Sequence, residues 1–298
     1  MPADWQKDIF AKHLEHNTHM AEVWDREIEP STRWYKLNLA SILRFKDLIF
    51  LFVYRDFVSV YKQTILGPIW FFIQPLITTI TFTLVFGRLA HVSTDGSPKL
   101  LFYLAGVTLW NYFADTLIKT SETFTANANI FGKVYFPRIV VPLSIVISNL
   151  IKFAIQLLLF LAIWTYFLGI HAIHPNTVLL FLPFLILLMG ILGFGFGILI
   201  SSITTKYRDL KFLIAFGVQI SMYATPIVYP ISFVPQQYRW IVLANPVTSI
   251  IETFKFGFLG VGEFNLLHLL YSLLFATVLV FLGLVIFNKV EKSFMDTV

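Results

Sequence analysis

No cysteine occurs in this 298-residue chain, and only 13% of its residues carry charge. The first absence excludes disulfides, thiolate metal centres and cysteine nucleophiles. The second sets the chain apart from soluble domains, in which about a quarter of residues are charged. Catalytic and nucleotide-binding signatures are missing as well. There is no G-x-x-x-x-G-K-[ST], so the chain has no P-loop for ATP. Neither H-E-x-x-H nor G-x-S-x-G is present, and the acidic chains that relay protons inside membrane spans are absent. His13, His16 and His19 lie close together but lack a defined ligand scaffold, so no metal site is expected. Active transport by such a chain would need an energy-supplying partner; otherwise its transport would be passive.

What is present is apolar surface. Hydrophobic residues make up 57% of the chain, 32 of its residues are Phe, and the mean hydropathy is +0.75. A span needs about 20 mostly apolar residues. Six runs meet or approach that length, at 68–87, 100–117, 141–170, 178–203, 212–229 and 266–288. The second is the weakest, because Asp115 lies near its end, and Pro75 is expected to kink the first. The expected fold class is therefore an all-α integral membrane protein with six transmembrane helices. Flanking charge orients it. Of the 22 Lys and Arg residues, only Arg88, Lys99, Arg239 and Lys255 fall outside if the N-terminus is cytoplasmic, and Lys152 lies within a span. The rest fall inside, which puts both termini of a multi-pass membrane protein in the cytoplasm. Residues 1–36 form a polar leader with no apolar core for a cleavable signal, and 293–298 form a cytoplasmic tail.

Two segments depart from simple spans. Over about 44–66, Phe45, Leu48, Ile49, Phe52, Val53, Phe57 and Val60 recur at three- and four-residue spacing on one face. Asp47, Arg55, Ser59 and Lys62 lie off that stripe. This reads as an amphipathic interface helix that turns into the membrane at Gly67-Pro68, either a plain anchor or a contact for a soluble partner. The external segment 230–262 is unusually apolar and divides at Asn245-Pro246 into two helices too short to span. They read as re-entrant helices shielded by protein, or as an interfacial loop with aromatic anchors.

Several polar positions are candidate sites. The loops Asn127–Arg138 and Thr204–Lys211 mix cations with aromatic residues, which suits a docking surface, although the cations also serve as topology signals. In the third run, Asn149, Lys152 and Gln156 share a helix face; Lys152 could meet an anionic group such as a phosphate, or snorkel to the interface. Gln219 and Tyr223 form a weaker pair in the fifth run. Asp115, Lys119 and Glu122 have helical spacing and read as a solvated, self-paired helix end.

Read together, these residues resemble a known family. Arg55-Asp56, Tyr61-Lys62-Gln63-Thr64, Leu66-Gly67, Trp70 and Pro75 resemble the opening signature of type-2 ABC exporter permeases that secrete polysaccharides. Lys133-Val-Tyr-Phe-Pro-Arg138 with Pro142, and Tyr207-Arg208-Asp209, resemble that family's two cytoplasmic coupling segments. Thr225-Pro226-Ile-Val-Tyr229 with Asn245-Pro246 resembles its external segment. The resemblance covers 37–292 and implies a homodimer working with two copies of a cytoplasmic ABC ATPase, which would bind the ATP and Mg; this chain itself would bind no cofactor. The implied cargo is a lipid-linked O-antigen, capsule or teichoic-acid polymer. It also implies ATPase coupling through Arg55, Asp56, Tyr61, Lys62, Lys133, Tyr135, Phe136, Arg138, Tyr207, Arg208 and Asp209. Pro226, Tyr229, Trp240, Asn245 and Pro246 would form the external gate. Sugar rings slide on aromatic faces, so Trp70, Phe71, Phe72, Tyr112 and Phe153 join Asn149, Lys152, Gln156, Gln219 and Tyr223 as candidates for the passage. Membrane lipids are the remaining expected partner, and no nucleic acid is. The competing expectations are a permease for a drug or small lipid and a membrane glycosyltransferase. The latter would have only Asp95, Glu252 and Glu263 as external carboxylates.

Overall fold

The computed structural model describes residues 43–294, apart from 63, 64, 135, 206 and 208. The leader 1–36 and most of the expected tail lie outside the described residues. Among the described residues all regular structure is helical. Eight principal helices follow one another: α1 (Lys46–Tyr61), α2 (Trp70–Phe82), α3 (Lys99–Ser121), α4 (Val140–Gly169), α5 (Leu182–Thr204), α6 (Leu210–Ala224), α7 (Pro246–Leu259) and α8 (Leu266–Phe294). With their flanking turns, four stretches are long and apolar enough to cross a membrane: Gly67–Leu89, Val140–Gly169, Thr177–Thr204 and Leu266–Glu291.

The two other expected spans are helices of a different kind. Helix α3 has 23 residues, Asn111, Asp115 and Lys119 among them, and is buried over most of its length. Helix α6 has 15 residues and ends at Ala224, five residues short of the run expected from hydropathy. The stop has a local cause. Pro226 disfavours the helical conformation at the residue before it, and Thr225 is extended, with ψ 147°.

Helix α3 is the axis of the fold, wrapped by α2, α4, α5 and α7. Its approach to α5 depends on small residues. Gly190, Gly193 and Gly197 lie along one face of α5. A β-carbon on Gly190 would collide with the Tyr112 hydroxyl, one on Gly193 would lie 3.0 Å from the Phe113 carbonyl oxygen, and one on Gly197 would collide with the Thr120 side chain. Close backbone approach of this kind is how helices associate where lipid offers no hydrophobic driving force. Thr204 Oγ1 then donates to the Ser121 carbonyl at 2.8 Å and closes the end of the pair.

At one end of the molecule α1 packs along α4. Phe52 and Val53 are buried there, whereas Phe50, Leu51 and Tyr54 are exposed, so α1 also has an apolar outer side. Gly67, at φ +48°, makes the turn from α1 into α2, and Pro68 follows at the start of the next helix. Pro75 lies inside α2, where its missing N–H leaves the Phe71 carbonyl without its helical donor. At the other end, the helices Arg239–Ala244 and Pro246–Leu259 meet at Asn245, whose side chain caps α7 by accepting from the Val247 amide at 3.0 Å. Helix α7 is about 21 Å long by helical rise, too short for a core of about 30 Å. It is buried almost throughout and held by Asn176 Nδ2 donating to Phe256 O at 2.8 Å and by Trp164 Nε1 donating to Phe258 O at 2.8 Å.

The glycine seam yields a prediction. Gly197→Ala should destabilise the folded chain by about 1–3 kcal/mol, the usual range for overpacking a filled interface. Gly217→Ala, which lies inside α6 and meets open space, should instead stabilise it by up to about 1 kcal/mol. Thermal unfolding of the two variants in detergent compares them directly.

Candidate functional site

The polar residues gather at three levels. The first is the end formed by α1, the 123–138 segment and the last turns of α8. Phe52, Phe131 and Phe136 form a chain of rings, with Phe52–Phe136 and Phe131–Phe136 centroids each 5.7 Å apart. Phe124 extends it, 6.1 Å from Phe131 and 4.7 Å from Phe287 of α8. Cations cover two of its rings: Arg55 over Phe52 at 4.7 Å and Arg138 over Phe131 at 5.3 Å. Arg138 Nη1 donates to the Glu291 carbonyl at 2.6 Å, and its backbone N–H to Glu291 Oε1 at 3.3 Å. Burial lowers the Arg138 pKa, against the charge of Glu291, which favours the guanidinium.

The expected coupling residues therefore fall into two sets. Arg55, Lys62, Lys133, Tyr207 and Asp209 are exposed, and Asp56, half-buried, accepts from Arg55 at 2.8 Å. Phe136 and Arg138 are buried and tie the segments to one another. The Tyr61 side chain, Tyr135 and Arg208 lie outside the described residues. Glu291 and Phe287 were not singled out by sequence, because nothing local marks them as partners of a loop about 150 residues away.

The second level lies among α2, α3 and α4. Lys152 pairs with Asp115 at 2.5 Å and sits 5.8 Å from the Phe71 ring. Lys119 donates to Asn149 Oδ1 at 3.3 Å, and Asn149 Nδ2 to Thr116 Oγ1 at 3.3 Å. This corrects the expected self-paired helix end: Asp115 and Lys119 are bonded to α4 rather than to one another. The reason is geometric, since their α3 face is packed on α4. Asn149 and Gln156 are buried, the latter with an unpartnered Nε2. Tyr112 and Phe153, expected along a passage, instead pack against each other in the core at 5.2 Å. Their burial follows from their place in the α3–α4 seam. Trp70, Gln219 and Tyr223 are exposed, Phe72 is half-buried and Phe71 is buried. An apolar cleft of about 330 Å³ runs between α3, α5 and α6, lined by Trp110, Phe113, Phe196, Ile214, Ser221 and Asn245 among others. Sequence reasoning missed these aromatics because a ring beside a cleft and a ring facing lipid follow the same pattern.

The third level is the opposite end. Pro226 and Pro246 are buried, Tyr229 and Asn245 are half-buried, and Trp240 is 69% exposed. Asn245 Nδ2 donates to Thr225 Oγ1 at 2.9 Å, and the Tyr229 hydroxyl to the Ala224 carbonyl at 3.1 Å, so Asn245 and Tyr229 both bond at the end of α6 and the turn after it. Two residues not singled out as a site lie beneath it. Lys255 is fully buried, with Nζ 2.6 Å from the Pro226 carbonyl and 3.5 Å from the Phe102 ring centroid. Glu252, one turn before it, is buried with no hydrogen bond to either carboxylate oxygen. The paired helix positions 252 and 255 were the available sequence signal.

This helical architecture has four stretches long and apolar enough to cross a membrane, and the chain belongs to the ABC-2 type transporter family, matching it over residues 47–259. Among its relatives is the O-antigen export system permease protein RfbA of Klebsiella pneumoniae, 29% identical over 88% of this chain and 97% of that protein. The polysialic acid transport protein KpsM of Escherichia coli is 23% identical, covering 78% of this chain and 89% of its own. The capsule polysaccharide export inner-membrane protein CtrC of Neisseria meningitidis is 23% identical over 86% and 95% respectively.

The ion pair at the middle level can be checked by a double-mutant cycle. Lys152→Leu should cost about 1–3 kcal/mol by stranding a partly buried carboxylate, and Asp115→Leu should cost a similar amount. The double replacement should cost less than the sum of the two in thermal unfolding, as coupled partners do.

Proposed function

We propose that the chain is the membrane-spanning subunit of an ATP-driven exporter that moves a lipid-linked polysaccharide across the cytoplasmic membrane. The observation that carries this reading is the near end-to-end match to permeases of O-antigen and capsule export. With no P-loop of its own, the chain needs a separate ATPase, and we assign two copies to a homodimer of this subunit. Helix α6 supports the dimer: it is exposed along most of its length and presents Phe212, Phe216, Gln219, Ile220 and Tyr223. A second subunit would cover this face, and the aromatic-lined cleft beside it would then border the passage.

In this reading α3 and α6 cross the bilayer with the four longer stretches, giving six spans, with both termini in the cytoplasm. The exposed Arg55, Lys62, Lys133, Tyr207 and Asp209 meet the ATPase, whereas buried Phe136 and Arg138 transmit its movement to α1 and α8. The segment from Pro226 to Pro246 forms the external gate. Aromatic faces suit a sliding polymer, because stacking on sugar rings holds the chain without fixing one position. The glycosyltransferase alternative has little support, since Glu252 is buried and Glu263 is held by Arg239 at 3.5 Å.

Deletion of the gene tests the function. Surface glycan should be lost while lipid-linked polymer accumulates on the cytoplasmic side. Normal surface glycan with nothing trapped inside would transfer the protein to small-lipid or drug transport. Arg208→Ala with Asp209→Ala should uncouple the partner's ATP hydrolysis from export without loss of membrane insertion. Undiminished export by that variant would remove the loop from the coupling surface.

A further inference from the structure

Among the described residues, the Glu252 carboxylate is the acidic group left least complete by the fold. It faces a small cavity with room for about one water molecule, lined by Ser249, Glu252, Glu263, Asn265 and His268 together with Ile231 and Leu243. Gly262, at φ +100°, brings its backbone over the carboxylate so closely that a β-carbon there would lie 2.8 Å from Oε2. The Glu263 amide favours the charged form, yet no donor completes a hydrogen bond to either oxygen. A buried carboxylate without a partner is neutralised more readily than it is left charged.

The Lys255 charge favours ionisation of Glu252, but its ammonium is engaged elsewhere. Its ammonium donates to the Pro226 carbonyl and lies on the Phe102 ring, so it fastens α7 to the turn after α6 and to α3. The remaining charges around Glu252 do not favour its ionisation. Glu263 approaches from the turn after α7 and is bridged by Arg239, and Asp95 approaches from the loop before α3, where it accepts from Ser232 at 2.8 Å. His268 comes from α8, and Tyr229, from the turn after α6, is bonded to Ala224 O. No three His, Cys, Asp or Glu side chains among the described residues converge as metal ligands.

We propose that Glu252 is a proton-binding site that decides whether Lys255 stays fastened to the Pro226 carbonyl, so that acidity at this end of the molecule keeps the 226–262 segment closed. With the proton on Glu252, Lys255 has only the weaker pull of Asp95 against it and holds the turn. When the proton leaves to solvent, the ionised carboxylate one helical turn away draws the ammonium from Pro226, and the turn is released. Burial raises the Glu252 carboxyl from 4.5 to about 7. The closed arrangement therefore binds more protons than an open one between those values, and its stability relative to the open form falls as pH climbs through that window. Lys255 acts in the opposite sense at higher pH, since burial lowers its ammonium to about 8.

The inference concerns a site apart from the coupling surface, and its test needs neither ATPase nor glycan, so its failure would leave the export reading standing. The cysteine-free sequence supplies the probe. Val228, buried just after Pro226, is replaced by Cys in the full-length chain in lipid nanodiscs, with and without Glu252→Gln. The rate of reaction with a membrane-impermeant maleimide is followed from about pH 5 to about pH 9, a range covering the ordinary carboxyl and lysine regions on either side. Dividing the rate with Glu252 intact by the rate with E252Q removes the thiol's own pH dependence. That ratio should rise through the window around neutrality, by at most about tenfold per pH unit, and level off once the carboxylate is ionised. Infrared difference spectra should show a protonated carboxyl band that disappears over the same range and is missing from the E252Q variant. A constant ratio of rates, or the lack of such a band at low pH, would overturn the proposal. A change of rate on adding calcium at fixed pH would also overturn it, in favour of a metal site.

Discussion

Helix α3 cannot face lipid, and the arrangement of the other helices follows from that constraint. Its Asn111, Asp115 and Lys119 would each be costly in hydrocarbon, and charged groups within membrane segments turn toward protein or water. The molecule answers by wrapping α3 in α2, α4, α5 and α7. Glycines of α5 allow the nearest approach, and Asp115, Thr116 and Lys119 find their partners on α4. The four more apolar stretches can meet lipid because the least apolar long helix has been taken inside.

The sequence foretold what depends on short-range pattern. Hydropathy located the long apolar stretches, the three- and four-residue spacing from Phe45 located α1, and Asn245-Pro246 marked the junction of the two short helices. The early end of α6 was written in Thr225-Pro226 as well, but a hydropathy run does not register a break between apolar residues. Pairings across the fold were not legible. Nothing near Asp115 indicates Lys152 on the next long helix, and nothing near Arg138 indicates Glu291. The same limit affected the aromatics. Tyr112 and Phe153 resembled passage residues and proved to be core, whereas Trp110, Phe113 and Phe196 beside the cleft went unnoticed.

Burial separates two sets of residues within the motifs proposed to couple to the ATPase. Exposed cations and polar groups can bind a partner, but they cannot by themselves carry movement into the helices. The ring chain from Phe52 through Phe136 and Phe131 to Phe124 and Phe287 supplies a dense connection between α1, the 123–138 segment and α8. Close-packed interiors of this kind transmit displacement because they have little volume in which to absorb it. Arg138 completes the connection, bonded to Glu291 and lying over Phe131. A motif that looks like one contact surface in sequence is thus divided between exposed side chains and a packed interior, which in the proposed exporter would act as contact layer and lever.

The three buried or partly buried charge clusters differ in how far their partners complete them. Arg138 has the Glu291 carbonyl and side chain together with an aromatic face. Lys152 has the carboxylate of Asp115. At the opposite end the cation is satisfied by Pro226 and Phe102, while the neighbouring Glu252 is not satisfied by anything. Fully satisfied polar networks fix one arrangement, whereas an unpaired buried group is costly and does not hold its surroundings in the same way. In the proposed exporter, a subunit coupled at one end and opening at the other would use this asymmetry: rigidity beside α1 and α8, and an interior charge with two possible partners beneath the 226–262 segment.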